Sequence, residues 1–181
     1  MKIFAARHGQ TDWNAEGRIQ GITDIPLNET GRAQARGIAE ELFSRGISEI
    51  ISSPLLRAVE TAEIIADQIG TDKTKIVRDP RLRERNFGVY EGKLIAETDI
   101  LTLRRWSDNA PVPRGETIRE LAERVFCSVD DAVAKFKGRN ILFVVHGQVI
   151  RTMLWYFNGT PGGGEEPAFE VENCAVYEFD C

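Results

Sequence analysis

Short runs of apolar and β-branched residues recur along the chain and predict five β-strands. Most of the runs are bounded by polar residues, glycine or proline, which is typical of short strands buried in a sheet. The predicted strands cover residues 2–6, 49–52, 76–78, 141–145 and 175–179.

Longer stretches between these runs repeat their apolar residues with a helical period. Residues 30–45, 54–69 and 117–137 each begin with threonine or proline and are followed directly by glycine, which favours helix ends there. Residues 148–157 form a further helical pattern. Strands that alternate with helices of this length predict an α/β fold, a three-layer α/β/α sandwich with a mostly parallel central sheet.

The length and composition suit one globular domain. A chain of 181 residues with 42% hydrophobic and 28% charged residues can form one core, so we expect a single domain over residues 1–181. The stretch 158–167 is rich in glycine and is predicted to be a loop before the last strand.

Charge and apolar pattern argue against several classes of protein. A net charge of -5 disfavours nucleic acid as a partner, because proteins that bind it usually carry a basic face. No apolar run reaches the roughly 20 residues that span a bilayer, and the amino terminus lacks a signal-peptide pattern. We therefore expect a cytoplasmic protein without a membrane partner. Three widely spaced cysteines without a CxxC pair disfavour a disulfide framework.

The two histidines of the chain follow two of the predicted strands. His8 lies just past residues 2–6 and His146 directly after residues 141–145, and each is followed by glycine and glutamine. The carboxyl ends of parallel strands meet at one edge of a sheet, where ligands bind. If the two strands are neighbours, the imidazole rings face each other, and the helix after His146 directs its first amides towards an anion.

Charged residues are expected at the same edge. Arg7 adjoins His8, Arg57 lies in the first turn of the helix over residues 54–69, and Glu84 follows the third strand. Imidazole, guanidinium and carboxylic acid groups in one pocket indicate phosphoryl transfer, in which one histidine attacks phosphorus and Glu84 protonates the leaving oxygen. Arg7 is expected to keep His8 neutral, and this chemistry requires no metal or cofactor.

Five motifs together resemble the histidine phosphatase superfamily, the phosphoglycerate mutase-like group that carries an RHG motif. They are RHGQT at 7–11, SSPLLRAVETA at 52–62, ERNFGVYEG at 84–92, GET at 115–117 and VVHG at 144–147. The motifs occur in the family's order and span nearly the whole chain. The resemblance implies a phosphoglycerate mutase-like fold and a phosphohistidine intermediate on His8, with Arg7, Arg57 and His146 forming the phosphate pocket. It also implies that Glu84 is the proton donor and later the base for the attacking water.

The resemblance extends to weaker positions. The family's WN pair and its polar residue before a glycine contact phosphate, which here implies Asn14 and the Gln20–Gly21 pair. We place Gly147, next to the second histidine, with these binding residues. Glu91 is the nearest competitor of Glu84, and we expect it to bind loop amides instead.

The segment 93–114 is expected to be a short lid that sets specificity. Phosphoglycerate mutases carry a longer insert here, with basic residues for a second phosphate, so the short distance from Gly92 to Gly115 favours the compact phosphatase branch. The candidates for contact with a second anionic group of the substrate are Arg104, Arg105, Trp106 and Arg114. An equally open alternative is a solvated helix end with Trp106 packed inward.

The leading hypothesis is a metal-independent phosphatase, monomeric or homodimeric, that acts on a small phosphorylated metabolite. Three alternatives stay open: a cofactor-dependent phosphoglycerate mutase, a phosphatase of phosphohistidine or phosphoserine in proteins, and an inactive relative that binds a phosphorylated ligand. A metal site is disfavoured because two histidines without a carboxylate or cysteine at ligand spacing are a poor zinc-binding set.

Overall fold

A computed structural model describes residues 1–161 and 171–181. The strands of this part form one mixed sheet in the order β3-β2-β4-β1-β5. They are β1 (Lys2–Arg7), β2 (Ile47–Ser52), β3 (Val77–Arg78), β4 (Asn140–Val145) and β5 (Val176–Asp180). Strands β1 to β4 pair in parallel and β5 runs antiparallel to β1, so the prediction of a mostly parallel sheet is confirmed.

Helices connect the strands on both sides of the sheet. They are α1 (Asp12–Ala15), α2 (Glu29–Leu42), α3 (Leu56–Ile69), α4 (Ile100–Arg104), α5 (Ile118–Lys135) and α6 (Gly147–Asn158). The sequence pattern did not predict α1 and α4, because helices of four and five residues are too short to show a period. Within the described residues, no helix is both long and apolar enough to cross a membrane.

The helix ends are determined by local hydrogen bonds. Thr117 caps α5 in a capping box with Glu120, as its residue type predicts. Helix α3 begins at Leu56 and not at Pro54, because Leu55 is extended and its amide donates to the side chain of Ser53. The predicted loop at 158–167 begins at the end of α6, and its residues 162–167 lie outside the described residues.

Alternating strand residues build one core on each face of the sheet. Ile3, Ala5 and Phe143 pack with α5 and α6, whereas Phe4 and Leu142 pack with α2 and α3. This arrangement is the predicted three-layer α/β/α sandwich. A smaller apolar cluster joins the segment 93–114 to the loops that precede it, through Ile19, Phe87, Ile100, Leu103 and Val112.

The register of the central strands determines where the histidines lie. Arg7 on β1 pairs with Val145 on β4, so the residues that follow them leave the sheet side by side. The amide of His8 donates to the carbonyl of Val145 at 3.0 Å, which extends the pairing by one residue. The amide of Ser53, after the adjacent strand β2, donates to the carbonyl of Val144 at 3.0 Å. Three parallel strands therefore end together at this edge.

Candidate active site

The two imidazole rings face each other at the carboxyl edge of the sheet. Their centroids are 5.1 Å apart, and the ring planes are inclined by 59°. His8 is 2% exposed and His146 is fully buried, so the pair lies beneath the surface of the site. This is the arrangement expected if the strands that carry them are parallel neighbours.

The hydrogen bonds of His8 fix its tautomer. Its Nδ1 lies 2.7 Å from the carbonyl oxygen of Gly9, which can only accept, so Nδ1 carries the proton. The opposite nitrogen, Nε2, accepts a hydrogen bond from Nε of Arg57 at 3.2 Å. Burial, together with the charges of Arg57 and Arg7, holds the pKa of His8 well below its usual value. The neutral ring therefore presents its Nε2 lone pair, as a nucleophile requires.

Burial, and not the neighbouring Arg7 that the sequence suggested, is the largest cause of this low pKa. Gly9, which follows His8, allows a close approach of two backbone segments. A Cβ atom on Gly9 would lie 2.3 Å from the carbonyl oxygen of Gly31, at the start of α2. The glycine allows the two backbones to touch.

Arg57 is a buried cation whose orientation is determined by three hydrogen bonds. Besides its contact with His8, it donates from Nη1 to the carbonyl of Thr23 at 2.9 Å and from Nη2 to that of Gly21 at 2.7 Å. The side chain has no exposed surface, and burial lowers its pKa to about 10, so it stays charged at neutral pH. A fixed guanidinium beside a nucleophile is suited to hold a phosphoryl oxygen.

His146 is held in the same tautomer as His8, here by Ser53. Its Nε2 lies 2.7 Å from Oγ of Ser53, and this oxygen already accepts from the amide of Leu55 at 3.3 Å. Among the described residues the Ser53 hydroxyl has no hydrogen-bond acceptor other than Nε2 of His146, so we assign the hydroxyl as the donor and the proton of His146 to Nδ1. Within the described part of the chain this buried Nδ1 has no hydrogen-bond partner. Burial and the charge of Arg57 hold the pKa of His146 well below its usual value, so the ring is a neutral donor.

Glu84 is 9% exposed and contacts the start of α6. Its Oε1 accepts from the amide of Arg85 at 2.9 Å, and its Oε2 accepts from the amide of Gln148 at 3.3 Å. A Cβ atom on Gly147 would lie 3.9 Å from both Oε2 of Glu84 and Nε of Arg7. A carboxyl group and a guanidinium thus flank the same point at the start of α6.

Arg124 on α5 holds the backbone that carries this carboxylate. It donates to the carbonyls of Arg83 at 2.7 Å and Glu84 at 3.0 Å, and also to that of Arg81. Its own orientation is determined by Glu116, which it meets at 2.6 Å. Sequence reasoning did not find Arg124, because these partners are about 40 positions away in the chain.

Glu84 and Arg7 open into a cavity of about 390 Å³, whereas His8, Arg57 and His146 are buried and are not among the residues that line it. It is lined by Arg7, Asn14, Ile19, Gln34, Glu84, Phe87, Ile95, Ile100, Arg104, Gly147, Gln148, Arg151, Val171, Glu172 and Asn173. The described residues contain no group of three or more His, Cys, Asp or Glu side chains placed to hold a metal ion.

The model of the histidine phosphatase superfamily (branch 1) matches residues 3–181. The chain belongs to this superfamily. It is 37% identical over 186 residues to a protein of Enterobacter sp. (strain 638) named probable phosphoglycerate mutase GpmB, covering 99% of this chain and 85% of that protein.

Two solved structures of phosphatases are also similar. The mycobacterial glucosyl-3-phosphoglycerate phosphatase, complexed with VO3, has a TM-score of 0.87 at 30% identity over 98% of this chain and 91% of its own. A mutant of the Entamoeba histolytica phosphoserine phosphatase, in complex with phosphoserine, has a TM-score of 0.84 at 28% identity over 99% and 90%. The predicted phosphoglycerate mutase-like fold is thus confirmed.

The weaker positions implied by the superfamily resemblance lie at different distances from the cavity. Asn14 lines it, and its Oδ1 accepts from the amide and hydroxyl of Thr11 and from Nδ2 of Asn173 at 3.2 Å. Because all three donors contact Oδ1, the amide nitrogen of Asn14 lies on the side away from these donors. Gln20 does not line the cavity, and its Oε1 lies 3.0 Å from the Thr11 hydroxyl, whose one proton is shared between this oxygen and Oδ1 of Asn14. Gly21 acts through its carbonyl, which holds Arg57.

Glu91 bonds loop amides, as expected of a structural carboxylate. Its oxygens accept from the amides of Ile22 and Thr23 at 3.0 Å and from that of Phe87 at 3.1 Å. It is absent from the cavity lining, and Glu84 is present there.

The four candidates for contact with a second anionic group, all in the segment 93–114, lie in different environments. Arg104 lines the cavity. Arg105 and Arg114 are exposed, and Arg105 forms an ion pair with Asp108 at 3.1 Å. Trp106 packs edge-on against Trp155 at 5.3 Å and joins the main core, as the alternative of an inward tryptophan proposed.

Proposed function

We propose that the protein is a phosphatase that hydrolyses a phosphomonoester of a small metabolite through a phosphohistidine intermediate on His8. The observation that carries the proposal is the buried Nε2 lone pair of a neutral His8, which lies next to the Arg57 guanidinium in a ring 5.1 Å from that of His146. A nucleophile between fixed donors for phosphoryl oxygens is suited to in-line displacement at phosphorus.

The first step transfers the phosphoryl group to His8. Its Nε2 attacks phosphorus while the bond from phosphorus to the ester oxygen breaks. Glu84 gives its proton to that oxygen, so the alcohol leaves neutral. Arg7, Arg57 and His146 hold the phosphoryl oxygens as charge develops on them.

The second step regenerates the enzyme. Glu84, now a carboxylate, removes a proton from a water molecule, and the resulting hydroxide attacks phosphorus. The bond between phosphorus and Nε2 of His8 breaks, inorganic phosphate leaves, and both side chains return to their starting protonation. No step needs a metal ion or a cofactor.

A phosphoglycerate mutase is the second candidate, because a relative at 37% identity bears that name. In a mutase the alcohol stays bound and receives the phosphoryl group back from His8. The short segment 93–114 favours release of the alcohol. Interconversion of 2- and 3-phosphoglycerate that depends on 2,3-bisphosphoglycerate, with no net release of phosphate, would establish the mutase.

The wild-type protein should hydrolyse p-nitrophenyl phosphate at an unchanged rate in excess EDTA, because its own cations stabilise the transferred group. Release of p-nitrophenolate and of phosphate measures the reaction. Loss of turnover in EDTA that added metal restores would refute metal independence. Stabilisation by phosphate in a thermal melt, with no hydrolysis of any ester in a broad panel, would instead indicate an inactive relative that binds a phosphorylated ligand.

Ser53→Ala should lower kcat by about 10-fold, because the lost hydroxyl leaves Nε2 of His146 unsatisfied and frees the proton to move from Nδ1. The chain has only two histidines, so ¹⁵N NMR of the imidazoles resolves the tautomer of His146 directly. The matched control is Ser52→Ala, since Ser52 is equally buried and donates only to the Ser53 carbonyl, at 2.8 Å. An unchanged tautomer in the Ser53 variant would show that the serine has no such role.

A further inference from the structure

The glutamate of the GET motif at 115–117 has no part in the two steps above, yet it contacts the segment that carries Glu84. The amide of Glu116 donates to the carbonyl of Asn86 at 2.9 Å, and its Oε1 accepts from the amide of Asn86 at 2.8 Å. Its carbonyl accepts from Nε of the buried Arg85 at 2.9 Å. Glu116 therefore binds both of the residues that directly follow the acid.

Arg124, in the first half of α5, uses its whole guanidinium group on the same segment and on Glu116. Nη1 donates to the carbonyls of Arg81 and Arg83, and Nη2 donates to the carbonyl of Glu84 and to Oε1 of Glu116. Nε donates to Oε2 of Glu116 at 3.0 Å. These bonds use every N–H donor that an arginine side chain has. The guanidinium group is thus held in one orientation.

The backbone of the acid depends on these contacts for its position. Residues 84–87 belong to no helix or strand, so the regular hydrogen bonds of secondary structure do not hold them. Helix α5 is a firm support, because its residues Leu121 and Val125 are fully buried in the main core. The side chains of Glu116 and Arg124 connect this helix to the carbonyl of the acid and to the residues after it. The packing of α5 therefore determines where the acid lies.

We propose that Glu116 and Arg124 are positioning residues that keep the carboxyl group of Glu84 within reach of the leaving oxygen. A general acid acts only at hydrogen-bond distance from the atom that it protonates, and a displacement of about 1 Å costs about 100-fold in rate. This role rests on the proposed phosphatase function. It differs from a contribution to stability alone, because the losses that it predicts are confined to steps in which Glu84 gives or takes a proton.

Two aryl esters of similar size test this role. Phenyl phosphate releases a phenolate about as basic as that of a tyrosine side chain, whereas p-nitrophenyl phosphate releases an anion that needs no proton. Arg124→Lys keeps the positive charge but cannot supply all of the donors. In single-turnover experiments this variant should release phenol about 10-fold more slowly or worse, while the first release of p-nitrophenolate should change by less than about 3-fold. Glu116→Gln should show the same pattern.

The matched control is Asp131→Asn. It removes an ion pair at 2.6 Å between α5 and Arg81 but no bond to the backbone of the acid, so neither rate should change. If Arg124→Lys does not fold, Glu116→Gln, which keeps the shape of its side chain, decides.

The reference for a direct loss of the acid is Glu84→Gln. If that variant slows only the release of phenol, an equal loss for both esters in the Arg124 and Glu116 variants would overturn the positioning role alone. Wild-type rates for both esters in these variants would overturn it as well. No hydrolysis of either ester by the wild-type protein would overturn the proposed function, and the positioning role with it.

Discussion

His8→Ala should reduce hydrolysis of p-nitrophenyl phosphate by about 10⁴-fold or more, which is the scale of loss when a covalent nucleophile is removed. The reason is geometric, since His8 alone turns an unprotonated nitrogen towards Arg57. The proton of His146 lies on Nδ1, and its Nε2 is occupied by Ser53. Radiolabelled substrate with a rapid alkaline quench, which preserves phosphohistidine, should label the wild-type chain and leave the variant unlabelled.

His146→Ala is the comparison variant that distinguishes the role of His146 from that of His8. It removes a donor but keeps the nucleophile, so the chain should still become labelled, at a reduced rate. Urea unfolding of both variants checks that each is folded, because both rings are buried. Labelling that persists without His8 and disappears without His146 would reverse the assigned roles.

The sequence predicted the centre of this site because its residues follow strands. His8 and His146 each come directly after a strand, and Arg57 lies in the first turn of the helix after β2. Parallel pairing brings such positions together whatever the details of the loops. The antiparallel direction of β5 could not be read in this way, since an apolar run carries no information about strand direction.

The residues that orient the catalytic groups could not be predicted, because their contacts are long-range. Ser53 meets His146 across 93 positions, and Asn173 meets Asn14 across 159. The sequence pattern does not indicate which nitrogen of a histidine ring carries the proton or how a side-chain amide is oriented. The inward packing of Trp106 and the exposure of Arg105 likewise depend on how the segment 93–114 packs against distant parts of the chain, such as Trp155 on α6.

Glu84→Gln should produce a loss that depends on the leaving group. For an alkyl ester such as 3-phosphoglycerate the alkoxide needs a proton, so phosphorylation of His8 should slow by about 10³-fold, within the range of general acid catalysis. p-Nitrophenolate leaves without a proton, so transfer of the phosphoryl group from p-nitrophenyl phosphate to His8 should slow little. The second step still lacks its base, and stopped-flow absorbance should therefore show a burst of p-nitrophenolate followed by slow turnover with labelled His8.

Glu91→Gln is the informative comparison, because Glu91 belongs to the same sequence motif but bonds the amides of Ile22, Thr23 and Phe87. Weakening those bonds should lower the free energy of unfolding without any dependence on the leaving group. An equal loss for both esters in the Glu84 variant, with no burst, would show that Glu84 only shapes the pocket. A leaving-group dependence in the Glu91 variant would transfer the role of acid to that residue. The distinction rests on which carboxylate lines the cavity beside Arg7, and in the structure this is Glu84.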